Sequence, residues 1–214
     1  MKYQLFKNML VISAGLAVAL LSVSCAIAPR LDGPVFVAAG SSWTFERRDS
    51  GSYGNGKAQL TTTALGERTW QGRKVRAIEI PQGTRLSDAA TGDWLAVVKG
   101  DQTLTTFEPS IGYDWPLTVG KQFNRNYRVV NHMTKQQTDI KSTMTVEAYE
   151  DVTVPAGTFK AFRVRYVDST GLETENWFSP DAGAWVKSQA KRSSSFPAGA
   201  GTQDLDLLSY ILKK

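Results

Sequence analysis

Short runs of alternating apolar and polar residues, punctuated by glycine, aspartate and serine, recur from Ser42 to Leu212 and leave little room for anything but β-structure. In Phe162-Arg163-Val164-Arg165-Tyr166-Val167-Asp168 the alternation places Phe162, Val164 and Tyr166 on one face, with Arg163, Arg165 and Val167 on the other. Side chains of a strand point alternately to opposite faces, so the pattern suits an antiparallel sheet with one face buried. The same reading predicts strands over Ser42–Asp49, Lys57–Leu65, Thr69–Ile80, Asp93–Lys99 and Thr103–Glu108. It continues with Lys121–Val130, Thr138–Tyr149, Val152–Pro155, Thr158–Asp168, Leu172–Phe178, Ala184–Lys191 and Leu205–Leu212. Val, Ile, Thr and aromatic residues dominate these runs. No segment holds a 3.6-residue apolar period with caps, so little helix is expected.

The expected class is therefore all-β: one domain of curved antiparallel sheet, forming a half-barrel, a barrel or a two-sheet sandwich. Three ordered matches suggest that a β-meander is duplicated. Gly40-Ser-Ser-Trp43 resembles Gly120-Lys-Gln-Phe123, Thr69-Trp70 with Lys74-Val75-Arg76 resembles Thr158-Phe159 with Arg163-Val164-Arg165, and Trp94 pairs with Trp177. Val152-Thr-Val-Pro-Ala-Gly-Thr-Phe159 reads as a hairpin, with Pro155 pre-setting the turn. Ser193–Gly201 reads as a flexible hairpin loop.

The chain opens with a different kind of segment. Lys2 and Lys7 precede an apolar run from Met9 to Leu21, and residues 1–24 contain no acidic residue. This is the pattern of a secretory signal, too short for a membrane-spanning helix. Ser22-Val23-Ser24-Cys25 ends it as a bacterial lipoprotein signal ends, although Ser22 stands where that pattern carries Leu. Cys25, the only cysteine, is thus the expected lipidation site. The alternative is ordinary cleavage, which after Ala28 would put Pro29 first and leave a free thiol. The expected layout is a signal peptide over 1–24, a lipidated N-terminus and tether over 25–38, and a globular domain over 39–214. Ala26, rather than Asp, follows the cysteine, and the resemblance to Gram-negative lipoprotein signals then implies sorting to the outer membrane, with the domain facing the periplasm.

Composition closes off several chemistries. Without Lys2 and Lys7 the net charge drops from +5 to +3, and the charges are interspersed, so no nucleic-acid footprint is expected. One histidine, His132, and one cysteine make a metal centre or other cofactor unexpected. His132 lies in a polar stretch and reads as a turn residue. Asp181, in Ser179-Pro-Asp-Ala-Gly183, likewise reads as part of a turn.

VTVPAGTF at 152–159, Trp115-Pro-Leu-Thr-Val-Gly120 and Asn176-Trp-Phe-Ser-Pro-Asp-Ala-Gly-Ala-Trp-Val-Lys187 occur in this order elsewhere. Over roughly residues 110–190 the chain resembles a widespread group of bacterial envelope lipoproteins and periplasmic β-domains of unknown function. The resemblance implies a curved sheet or half-barrel and brings no catalytic residues. All six tryptophans follow the leader. Packing is their default role, but Trp94, Trp115, Trp177 and Trp185 are candidates to line a concavity for a lipid, an acyl chain or a sugar ring. The expected function is accordingly non-enzymatic: a membrane-anchored binding or scaffolding module, with capture of an apolar or amphipathic ligand preferred within that class. The alternatives are a protein–protein module in envelope assembly and, third, a glycan-acting enzyme using carboxylates such as Glu173 and Glu175.

Overall fold

The computed structural model describes residues 29–214; the predicted leader and Cys25 lie outside them. The first half contains β1 (Arg30–Leu31), β2 (Ser42–Gly51), β3 (Gly56–Trp70), β4 (Arg73–Ile80), β5 (Gly83–Asp88), β6 (Trp94–Lys99) and β7 (Gln102–Ile111). The second contains β8 (Leu117–Thr118), β9 (Gln122–Asn131), β10 (Gln136–Val154), β11 (Gly157–Asp168), β12 (Leu172–Ser179), β13 (Ala184–Arg192) and β14 (Gly201–Ile211). Among the described residues there is no helix.

Twelve of the strands, β2–β7 and β9–β14, pair antiparallel in chain order, and β14 closes the ring on β2. Of the three expected architectures, the chain adopts the closed barrel. The alternation of the strands decides which side is wet. Trp43, Phe45 and Arg47 of β2 line the interior, whereas Arg48 on the outer face pairs with Glu46 (2.7 Å) and with Asp206 of β14 (2.5 Å). Arg128–Asp139 (2.7 Å) and Arg165–Glu173 (2.6 Å) continue this polar exterior. Each exposed pair adds little stability, but together they mark the outer wall as water-facing. A barrel that crosses a membrane presents an apolar band outward, the reverse of this distribution.

The ring consists of two six-strand halves. Gly40 N–H donates to Ala64 O (2.7 Å) as β2 begins, and Ala64 N–H returns a bond to Ser41 O (2.8 Å). In the second half Gly120 donates to Val146 O (2.8 Å) and Val146 to Lys121 O (2.8 Å). Both glycines hold positive φ, 84° and 88°, a conformation only glycine adopts freely. Register slips also recur, at Ala64/Gly66 of β3 and Val146/Ala148 of β10, then at Leu86/Ser87 of β5 and Trp177/Phe178 of β12. The two halves repeat these features, but two of the residue matches are displaced. Trp70 ends β3, before the turn, while Phe159 follows the turn in β11. Trp94 in β6 has its counterpart in β13, at Trp185, rather than in β12 at Trp177. The halves differ in turn length, so a fixed sequence offset drifts along them.

Beyond its bulge the β10–β11 hairpin folds against the neighbouring wall. Ala156 N–H bonds to Leu207 O (3.0 Å), and Phe159 packs on Tyr210. Val152, Val154, Phe159 and Ala161 form a buried cluster with Trp177, Val186 and Leu207. The smaller cluster of Val75, Ala77, Leu86, Leu95 and Ala96, with Trp70 packed against it, is the first half's equivalent.

One end of the barrel is stoppered by the chain itself. In an up-and-down ring the turns alternate between ends, so the β5–β6 and β12–β13 turns share the end where β2 starts. Across that end β1 pairs with β8, Pro34–Val37 line the interior, and the Arg76 guanidinium lies 4.1 Å above the Phe36 ring. Residues 30–38, read as a tether, are thus packed into the barrel mouth. Val37 sits so close to Gly183 that a Cβ there would lie 2.5 Å from Val37 Cγ1.

Candidate functional site

The barrel encloses a cavity of about 850 Å³, partly open to solvent, a size within the usual range for small-molecule sites. Its wall is aromatic because inward positions of neighbouring strands carry rings that reach one another diagonally across the sheet. Trp94 of β6 stacks edge-on against Phe107 of β7 (6.2 Å between centroids), and Phe107 meets Tyr127 of β9 (6.4 Å). On its other side Trp94 lies 5.7 Å from Trp185 of β13, across the barrel from β6 in the strand order. Trp185 Nε1–H donates to the Tyr113 hydroxyl (2.9 Å), and Tyr113 packs on Phe178 and Trp115. The two halves of the ring thus meet through one continuous aromatic seam.

Polar groups interrupt the seam at a few places. Tyr127 and Tyr166 share a hydroxyl–hydroxyl bond (2.7 Å), and Tyr166 donates to Asp168 Oδ2 (2.7 Å). Asp168 Oδ1 accepts from Thr170 N, Thr170 Oγ1 and Leu172 N, which fixes the β11–β12 turn. Burial and this network push the Tyr166 phenol far above its ordinary range. Asn176 accepts from Ser188 Oγ (2.7 Å) and donates to Thr174. These groups are mutually satisfied, as buried polar groups must be.

Three arginines, Arg47, Arg76 and Arg85, line the cavity, while Lys187 borders it from the register position opposite Trp177 and extends to the outer side. Arg47 faces Asp49 (2.8 Å) and Arg76 faces Glu67 (2.8 Å). Lys187 lies over the Trp177 ring. Arg85 sits with its guanidinium carbon 4.5 Å above the Trp94 ring and has no hydrogen-bond or ion-pair partner among the described residues; its Nε is buried and unpaired. What surface it keeps accessible lines the cavity. Desolvation lowers its pKa to about 10, still charged at neutral pH. Burial lifts the neighbouring Tyr113 phenol to about 12.

Of the four tryptophans singled out from sequence, Trp94, Trp115 and Trp185 line the cavity. Trp115 Nε1–H bonds to Thr91 O (3.1 Å), tying the stoppered end. Trp177 lies elsewhere: it is buried on the outer side under the β10–β11 hairpin and donates to Glu150 Oε1 (2.8 Å). The slip at Trp177/Phe178 hands the inward position to Phe178. Glu173 and Glu175 alternate with the cavity-lining Thr174 and Asn176 and so face outward. His132 follows β9 in its turn and contacts Thr106 Oγ1 (3.0 Å). Sequence reasoning passed over Arg85, Tyr113 and Tyr127. The one available signal was the polar run Gly83–Asp88, whose alternation pairs Arg85 and Ser87 against Leu86.

No protein-family model matches the chain, and no curated protein matches it. Solved structures do. A crystal structure from Bacteroides fragilis, described as an exported protein with a YmcC-like fold, aligns with 88% of this chain and 100% of its own at TM-score 0.50 and 14% identity. The two share a fold. A protein assigned as a lipoprotein from Parabacteroides distasonis aligns at TM-score 0.48 and 11% identity, covering 84% of this chain and 97% of its own. The hypothetical lipoprotein YmcC of Escherichia coli aligns at TM-score 0.40 and 11% identity, over 79% and 84% of the two chains.

Proposed function

We propose that this chain is a lipid-anchored protein of the bacterial cell envelope, and that its barrel is a non-enzymatic module holding an apolar or amphipathic ligand. The observation that carries the reading is the cavity of about 850 Å³, walled by Trp94, Phe107, Tyr127 and Trp185 within a barrel whose outer face is charged. A ring with polar exterior and aromatic interior suits a molecule that must be kept from water while its carrier stays in water. The signal-like leader ending at Cys25 supports the anchor, with the outer membrane as its site and the periplasm as the domain's compartment. The solved structure described as an exported protein supports the coarser reading of a cell-envelope location. Strand addition by a protein partner draws less support, because ring closure leaves no free edge among the twelve strands.

The test is native mass spectrometry of the full-length protein released from membranes. A diacylglyceryl mass on Cys25 together with a second, non-covalent lipid mass is the expected result. An unmodified Cys25 refutes the anchor, and a barrel that never retains or takes up a lipid refutes the carrier role.

A further inference from the structure

The unpartnered Arg85 narrows what the cavity holds. A cation removed from water is strongly disfavoured unless a counter-charge meets it, and the other two arginines on this wall have carboxylates. Arg85 has only the Trp94 face beneath it. Close by, Tyr113 accepts the Trp185 N–H, and its own hydroxyl proton has no acceptor among the described residues. Two donors that lack acceptors thus stand on the same aromatic contact, Arg85 over Trp94 and Tyr113 bonded to Trp185, whose rings lie 5.7 Å apart. Guanidinium is the donor group whose geometry fits a carboxylate or phosphate.

We propose that Arg85 and the Tyr113 hydroxyl form an oxyanion site, and that the occupant of the barrel is an amphiphile with an anionic oxyanion head group. The head group takes the guanidinium and the phenol proton, and the tail follows the aromatic seam through Trp94, Phe107 and Tyr127. This rests on the carrier reading above and sharpens it to a charge class. Two sources share the chemistry, a fatty-acid carboxylate and a lysophospholipid phosphate.

Calorimetric titration of the full-length chain carrying Cys25→Ser tests this, with palmitate, lysophosphatidylglycerol and neutral monopalmitoylglycerol, each below its micelle concentration. The expected result is binding of at least one anionic amphiphile about tenfold or more tighter than the neutral one, since charged hydrogen bonds are worth that much. Whichever anion binds more tightly identifies the source. Arg85→Met should erase the preference, weakening the anion roughly 10- to 100-fold while the neutral lipid binds as before, which also shows the variant is folded. Tyr113→Phe should weaken the anion less, by severalfold. Equal binding of neutral and anionic lipids, or an unchanged preference in Arg85→Met, overturns the oxyanion site while leaving a lipid carrier. Failure of all three lipids to bind overturns both.

Discussion

Arg85→Met should make the empty barrel more stable, an unusual expectation for the loss of a charged side chain. The guanidinium's pKa is lowered from 12.5 to about 10 by desolvation. At about 1.36 kcal/mol for each pH unit, carrying the charge costs the folded state roughly 3 kcal/mol. Arginine is a base whose folded pKa is depressed, so at pH 7, below both values, this cost is present in full. Against it stands the stacking of the guanidinium on Trp94, worth about 1–2 kcal/mol for a desolvated pair. Methionine keeps the apolar stem and fills most of the volume. The net gain is about 1–2 kcal/mol, or roughly 3–6 °C in melting temperature for a domain of this size. Differential scanning calorimetry on delipidated protein at pH 7 measures it. A structural arginine would behave oppositely, and an unchanged or lowered melting temperature refutes the claim that Arg85 is uncompensated.

The two kinds of tryptophan should separate cleanly. Trp94→Ala or Trp185→Ala should weaken amphiphile binding at least tenfold, whereas Trp177→Phe should leave binding intact and cost about 1–2 kcal/mol of stability through the lost Glu150 bond; denaturant titration beside calorimetry distinguishes them. Gly183→Ala meets both a positive φ of 60° and Val37, so a loss of about 1–3 kcal/mol is expected, and a neutral result in chemical unfolding would show that residues 30–38 do not grip that turn. Alkaline absorbance titration should find the tyrosines divided. Tyr113 holds its proton to about pH 12, and Tyr127 and Tyr166 are raised as well. Because the unfolded chain ionises first, near pH 10, these phenols cost stability as pH climbs past that point. Synchronous titration of all tyrosines near pH 10, in protein still folded by circular dichroism, contradicts that burial.

What could be read from the residues follows how far each signal reaches. Alternation is local, and it located eleven of the twelve barrel strands but not the two-residue β1 and β8; the exception in the ring was β5, where Gly83–Asp88 offers a single apolar residue, Leu86, and the strand exists because β4 and β6 flank it. The Gln71-Gly72 turn was displaced because Thr69-Trp70 looks like the start of a strand rather than its end. Val152–Pro155 merged into β10, whose 19 residues bend instead of breaking. The cavity's tryptophans were three-quarters visible. Trp177 was misplaced by a register slip, and a slip is set by the partner strand rather than by the residue's own neighbours. Arg85 carries the most specific chemistry and was the least visible, since an inward arginine and a solvated one are identical until the ring closes around it.

The seam between β2 and β14 brings together residues 42–51 and 201–211, the first and last strands of the ring. Until β14 arrives, β2 and β13 are open edges with unpaired N–H and C=O groups, and both are competent to capture a strand of another chain. The half-sheets can zip sequentially from local hairpins, but the final closure must overcome the entropy of a loop spanning nearly the whole domain. A chain made N-terminus first therefore stays an open, sticky sheet for most of its synthesis and becomes a barrel only at the last strand. The sequence interval just before closure is when such a protein most needs shielding, and damage to the eleven residues of β14 would be read out as aggregation before any ligand is met.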